Sequence, residues 1–502
     1  MTDTLSTHLD GALEAFEQHD EERALDLLVQ TWRFIREERL ARLIERLSDR
    51  LTSGLHLPDT AEVSLRASRR KMLDLPLLRG ALQQALSLGH AAAVAHWLEQ
   101  FREWPGSPQL QWPADPRLTF TLVDVAQHPV AATPMVAQPL LQLLESSADM
   151  RVLDRLQRLW RTPEAEPRDI EERKVQLRRT ALLERIQAVH PRAPGPEATT
   201  RLEAWENALT QRETREATHA PLRGELLGRV FASPEDMSAR LVLADHLQES
   251  GNPWGELVSA QLMPGASAER IEQLIEQHGL WWEAPLGPLV KRGSTRFERG
   301  FPMAVRLSTR VRQALAEPGP EWRTVREIDT LGISTPELAR WLCHPNLANV
   351  TTLRRVAPEL ARALLRHAPP VRSLSLVGSL TQKDPTLLAQ LAELPRLTHL
   401  VLHTTAPEDV QQCALSPLAP RLKRFEARAV DAWTLVLAPE REQPLRATLV
   451  HGQHVESLAQ ALRGAMTFRA PRVHIRGAHR TDPRGQGMLR AAVAPHPNVV
   501  WS

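Results

Sequence analysis

Two histidines, His451 and His454, with His474 and His479 further along, are the residues whose type best suits metal binding, since neutral imidazole is a common metal ligand. The pattern stops there. No HExxH, paired cysteine or carboxylate pattern completes a ligand set, so no metal is expected. His399 and His403 stand an even number of residues apart and share one face of an extended segment, but two ligands alone bind metal weakly and unselectively. Asp245 places an acid beside the imidazole of His246. Neighbours on a helix point about 100° apart, however, and do not form a catalytic dyad. Cys343 and Cys413 make no CxxC motif and read as buried, reduced thiols. The chain has no tyrosine, which excludes phenolic acid–base chemistry. It also lacks a GxxxxGK[ST] phosphate loop, a GxGxxG fingerprint and a GxSxG elbow. The expectation is a non-enzymatic protein with no cofactor.

What such residues decorate must be large. At 502 residues, 42% of them hydrophobic and 24% charged, the chain is folded and exceeds one ordinary core. Its 62 basic and 60 acidic residues leave a net charge of +2, which argues against a dominant field for nucleic acid or membrane. The first twenty residues carry acids rather than a basic leader, and no window approaches the roughly 18 consecutive apolar residues of a membrane span. A cytoplasmic location is expected.

Residues 1–190 read as helices. Leu40, Leu43, Ile44, Leu47 and Leu51 fall at helical spacing on one face, and Ala24, Leu27, Leu28, Thr31 and Ile35 make a second stripe ahead of them. Similar pairs recur over 80–101, broken at Gly89 and His90, and over 138–160, broken at 146–149. Paired amphipathic helices that must stack suggest an α-solenoid, with a non-repeating bundle as the alternative. A proline-rich loop is expected over 104–116, and the run HPRAPGP over 190–196 marks a boundary. Residues 191–220 are then a linker and a helix.

A small helical middle domain is expected over 221–310. Ser233, Pro234, Glu235 and Asp236 look like the capped start of a helix carrying Ala239, Leu243 and Leu247, with Leu241, Val242 and Ala244 widening its apolar side. The run RLVLADHLQESGNPWGE over 240–256, continuing to Gln261, resembles a bacterial, myxobacterial-type repeat-companion domain of unknown function. Its pattern is matched at Arg240, Ala244, Asp245, Leu247, Glu249, Gly251, Pro253, Gly255, Glu256 and Gln261, and departed from at His246 and Asn252. The segment RFERGFP over 296–302 is similar to the stretch that links this domain to leucine-rich-like repeats. Physically, Arg240, Asp245 and Glu256 are expected to form an ion-pair network that locks the helix to the following turn.

Over 311–502 an L-x-x-L-x-L spacing returns. Its leading residues, Val325, Leu347, Val371, Leu397 and Leu422, stand 22, 24, 26 and 25 residues apart, a leucine-rich-repeat period. Fainter copies follow at 445–449, 473–475 and 499–501. The expected architecture is thus α followed by α/β: a helical repeat-like domain, the middle domain, and a leucine-rich-repeat-like solenoid with a parallel sheet on its concave side. Arg372, Ser373, Ser375, His399, Val401 and His403 would line that side and bind a protein partner. The rival reading is an enzyme of unknown class with its site where the middle and C-terminal domains join.

Overall fold

The computed structural model describes residues 2–32, 34–56, 71–102, 115–160, 170–188, 195–308, 315–378, 380, 384, 386–440, 442, 444–468 and 472–502. The loop expected over 104–116 and the boundary expected over 190–196 lie for the most part outside them. Two compact units emerge, Met1–Pro221 and Leu222–Ser502.

The first unit is built from helices α1 (Thr2–Glu17), α2 (Glu21–Trp32), α3 (Glu38–Thr52), α4 (Lys71–Ser87), α5 (Ala91–Arg102), α6 (Pro116–Gln127), α7 (Pro134–Ser147), α8 (Leu153–Trp160) and α9 (Ile170–Ala188). The part of α10 (Pro196–Ala232) up to Pro221 completes it. The α3 stripe is buried throughout, from Leu40 to Leu51. Three hairpins turn alike: a left-handed residue, His19, Gly89 or Ala148, precedes Asp20, His90 or Asp149 at the start of the next helical segment. Asp20 accepts from the Arg23 amide at 3.1 Å and Asp149 from the Arg151 amide at 3.0 Å, supplying partners to helix-start donors that have none inside the helix.

Residues 196–221 form the expected helix, and it packs within the first unit. Trp205 is fully buried 4.8 Å from the Phe16 ring, with Leu202 and Leu209 buried beside it. Alongside, Arg39 donates to Glu206 at 2.7 Å, Arg50 to Glu216 at 2.7 Å and Arg212 to Glu21 at 3.1 Å. Pro196 falls in the first helical turn, where its missing N–H costs nothing. The helix then continues past Pro221, so the second unit begins inside it.

In the second unit α11 (Met237–Glu249), α12 (Pro253–Leu262) and α13 (Ala268–Glu283) precede a single sheet. Its strands are β1 (Arg296–Glu298), β2 (Phe301–Arg306), β3 (Glu327–Asp329), β4 (Thr352–Val356), β5 (Ser373–Val377), β6 (His399–His403), β7 (Arg424–Ala429), β8 (Trp433–Leu437), β9 (Leu445–Leu449), β10 (Val473–Arg476) and β11 (Val499–Trp501). They lie side by side in chain order. Because β1 and β2 open this sheet, the expected middle domain and repeat region form one body rather than two. The chain is therefore mostly helical, with an α/β C-terminal region.

The sheet is mixed, not wholly parallel. β2 to β7 run parallel, as do β9 to β11, whereas β1–β2, β7–β8 and β8–β9 are antiparallel. Ile328, Leu353, Leu374, Leu400 and Phe425 stand next to one another in register, all buried. The expected copy led by Leu347 is thus displaced by three residues: Val350 leads it and Leu353 takes the strand position. Leu347 sits in a 3-10 turn (Pro345–Leu347) ahead of the strand, where it is buried at similar spacing. Helices Pro336–Leu342, Pro358–Leu365, Leu387–Gln390, Pro407–Leu415, Val455–Ala465 and Pro483–Val493 lie between strands in sequence. Their Leu338, Leu360, Leu387, Val410, Leu458 and Leu489 share one continuous core with the strand residues. Among the described residues no helix is long and apolar enough to cross a membrane.

Candidate functional site

The middle motif spends its polar atoms on backbone. α10 runs to Ala232, so Ser233–Glu235 form the connecting turn and Asp236 is the cap, accepting from the Ser238 and Ala239 amides at 2.9 and 3.3 Å; Ser233 is not. Arg240, 3% exposed, donates to the Pro234 carbonyl at 2.7 Å and the Arg299 carbonyl at 2.8 Å, and stacks over Phe301 at 4.6 Å. The expected network with Asp245 and Glu256 is absent. Five positions apart on one helix, Arg240 and Asp245 point to different sides; Asp245 is exposed, and Glu256 pairs instead with Arg270 at 2.6 Å. Glu249 is exposed as well, and so are Leu241 and Val242, which do not widen the buried side.

The remaining motif residues shape the turn between α11 and α12. Gly251 has φ +71°, Asn252 accepts from the Trp254 amide at 3.0 Å, and Pro253 opens α12. A side chain on Gly255 would come within 2.7 Å of the Ala244 carbonyl. Trp254 Nε1 donates to the Gly300 carbonyl at 2.6 Å; Gln261 donates to the Phe297 carbonyl at 3.2 Å and accepts from the Gly300 amide at 2.7 Å. Arg240, Trp254 and Gln261 therefore clamp the turn between β1 and β2.

Beside that turn lies a shallow hollow of about 330 Å³, bounded by Gln261, Met263, Ile271, Phe297, Glu298 and Arg299. It offers one carboxylate and one guanidinium, already 3.8 Å apart. Among the described residues no group of three or more histidine, cysteine or acidic side chains is placed to hold a metal. His454 meets Gln453 at 3.0 Å and His474 meets the Ser502 hydroxyl at 3.0 Å.

The sheet face opposite the helices brings the other expected residues together. Ser373 neighbours His399, Ser375 neighbours Val401, and Val377 neighbours His403, alternating with the leucines of the core; Ser375 is nevertheless buried, its hydroxyl accepting from the Arg355 amide at 3.4 Å, and so, against expectation, is not offered to a partner. Arg372 is exposed at the bend ahead of β5 and stands outside this row. Burial above all, with Arg424 and Lys423 next, draws the His399 pKa down; burial and then Arg428 do the same for His403.

On the same face lie three carboxylates that the sequence reading missed. Glu327 is held by Arg354 at 2.7 Å and Arg296 at 3.5 Å, and Asp329 by Arg355 at 2.8 Å and Arg306 at 3.6 Å. Glu426 is held by Arg424 at 2.9 Å and Arg428 at 2.6 Å. Alternation of charges at 424, 426 and 428 on a strand was a readable signal for the third. The first two need the register of neighbouring strands.

Glu426 also yields a pH prediction. Burial alone would raise its pKa, but hydrogen bonds from Arg424 and Arg428 outweigh this and hold the carboxyl below its ordinary range. A depressed folded-state pKa stabilises above the unfolded value and ceases to do so as pH falls through the folded one. Glu426→Gln is expected to cost about 2 kcal/mol near neutrality. Urea unfolding should show the gap from the unaltered protein closing below about pH 4; a gap constant with pH would contradict the account.

No family model matches the chain, and neither a curated protein nor a solved structure matches it.

Proposed function

We propose that this chain is a non-enzymatic interaction protein that binds a protein partner on the sheet face opposite its helices, as a scaffold or an inhibitor. The second unit is then a degenerate leucine-rich-repeat-like solenoid, with the repeat-companion-like helices serving as the clamp that starts its sheet, and the protein works in the cytoplasm. The observation that supports this reading is the division of labour across the sheet. From β2 to β10 one face of the sheet is sealed by apolar side chains and helices, while the other carries polar side chains in register rows, partly exposed at Ser373, His399 and Arg424 and buried at Ser375 and Glu426. Rows of that kind suit recognition, because the backbone beneath them is fixed and the side chains vary freely.

A steric block tests the reading. Val401 sits mid-row and partly exposed, so Val401→Trp adds bulk to the face without altering charge or core. Tagged protein is expected to capture a stoichiometric protein partner from its native cells, and the variant to lose it while unfolding at the same urea concentration. Capture unchanged by the block would refute this surface.

A further inference from the structure

The charge on this face narrows what it takes. Resting on the binding reading above, we propose that the face receives an acidic protein surface, gripped through arginines that are held from beneath by the sheet's own carboxylates.

Glu327, Asp329 and Glu426 have side chains only 15%, 14% and 8% exposed, whereas the arginines holding them range from 38% to 58%. Each carboxylate is shared by two guanidiniums, so each cluster keeps a positive charge at its outer rim. A guanidinium carries five N–H donors in a rigid fork, and one carboxylate below leaves donors for another above. Fixing these long side chains beforehand also lowers the ordering cost of a later contact.

Arg446 on β9 and Arg476 on β10 extend the pattern, with no carboxylate at ion-pairing distance among the described residues. Between them and the clusters the histidines add little charge: burial first, and neighbouring arginines or Lys423 next, lower the pKa of His399 and His474. The acids at the margins are engaged, Glu298 with Arg299 at 3.8 Å and Glu440 with Lys423 at 3.7 Å. A chain whose net charge is only +2 thus concentrates positive charge on one surface.

That surface favours protein over nucleic acid. A phosphate backbone is a continuous line of charge, and single strands gain further from stacking on aromatic rings. Here the arginines are interrupted by three carboxylates and by Val401 and Val436, which suit the apolar patches of a protein interface. No outward strand position from β3 to β10 carries Phe or Trp.

The test uses the full-length protein with two fluorescent probes, poly-L-glutamate and a single-stranded DNA of matched charge, titrated at low and raised salt. Poly-L-glutamate is expected to bind, and to weaken as salt rises. Arg446→Glu with Arg476→Glu, which breaks no ion pair and so spares folding, should weaken it at least about tenfold, while lysine at both positions retains most of it. Arg354→Glu with Arg428→Glu should act likewise. Absence of poly-L-glutamate binding, indifference to both reversals, or tighter binding of DNA that displaces it would overturn the proposal. A native partner lost on Val401→Trp yet kept by the charge reversals would defeat the acidic-partner inference alone; one kept by all the variants would defeat the binding reading itself.

Discussion

Gly300→Ala should lower the stability of the second unit by about 2–5 kcal/mol, the sum of left-handed strain and overpacking. Gly300 and Arg299 both have positive φ, +81° and +54°, as a two-residue hairpin of this hand demands. An added methyl would also strike the Val258 side chain and lie 2.9 Å from Val258 Cα, on the backbone of α12 rather than on a movable chain end. The turn has no room to retreat, because Trp254 and Gln261 hold its carbonyl and amide. Gly265→Ala is the control: its φ is +87° but nothing lies within 4 Å, so it carries strain without collision. Urea unfolding followed by tryptophan fluorescence should rank Gly300→Ala well below the control. Equal losses would show that α12 does not press on this turn.

Arg240→Leu should cost about 3 kcal/mol, because it strands the buried Pro234 and Arg299 carbonyls and removes the stack on Phe301. Burial, with Arg299 adding to it, pulls the Arg240 pKa down to about 10, yet the group stays cationic at neutral pH and keeps every donor. Arg240→Lys should recover only part of the loss, since one ammonium does not reproduce a fork reaching two carbonyls in different directions. Arg270→Leu, which breaks an exposed pair with Glu256, should cost less than about 1 kcal/mol. Matching losses at positions 240 and 270 would mean that the buried fork contributes nothing special.

The contrast between those two arginines marks where a sequence is legible. The apolar stripe of α3 and the strands β5, β6 and β7 follow from spacing alone, because burial repeats with the period of the backbone. Arg240 is visible as a motif residue but its partners are not, since any residue offers a carbonyl and composition cannot say which one is near. β8 shows its alternation plainly at Trp433, Leu435 and Leu437, yet a repeat template that demands a helical return leaves no place for it. The open face was half readable: Ser375, Val401 and His403 came from parity, while the pairing of Asp329 with Arg355 required a neighbouring strand and a left-handed residue, φ +49°, that re-aims the side chain.

The hairpin formed by β8 has a geometric consequence. From β7 to β9 the sheet advances by two strand steps, about 10 Å, while the helical layer advances by one, from Pro407–Leu415 to Val455–Ala465. Those helices meet directly, so that a methyl added to Gly464 would fall within 3.0 Å of the Gln411 backbone. One helix-to-helix step spans about 8–10 Å, so at this hairpin the two layers advance by similar distances. The inserted strand therefore widens the open face by one row, Thr434 and Val436, without adding a helix behind it.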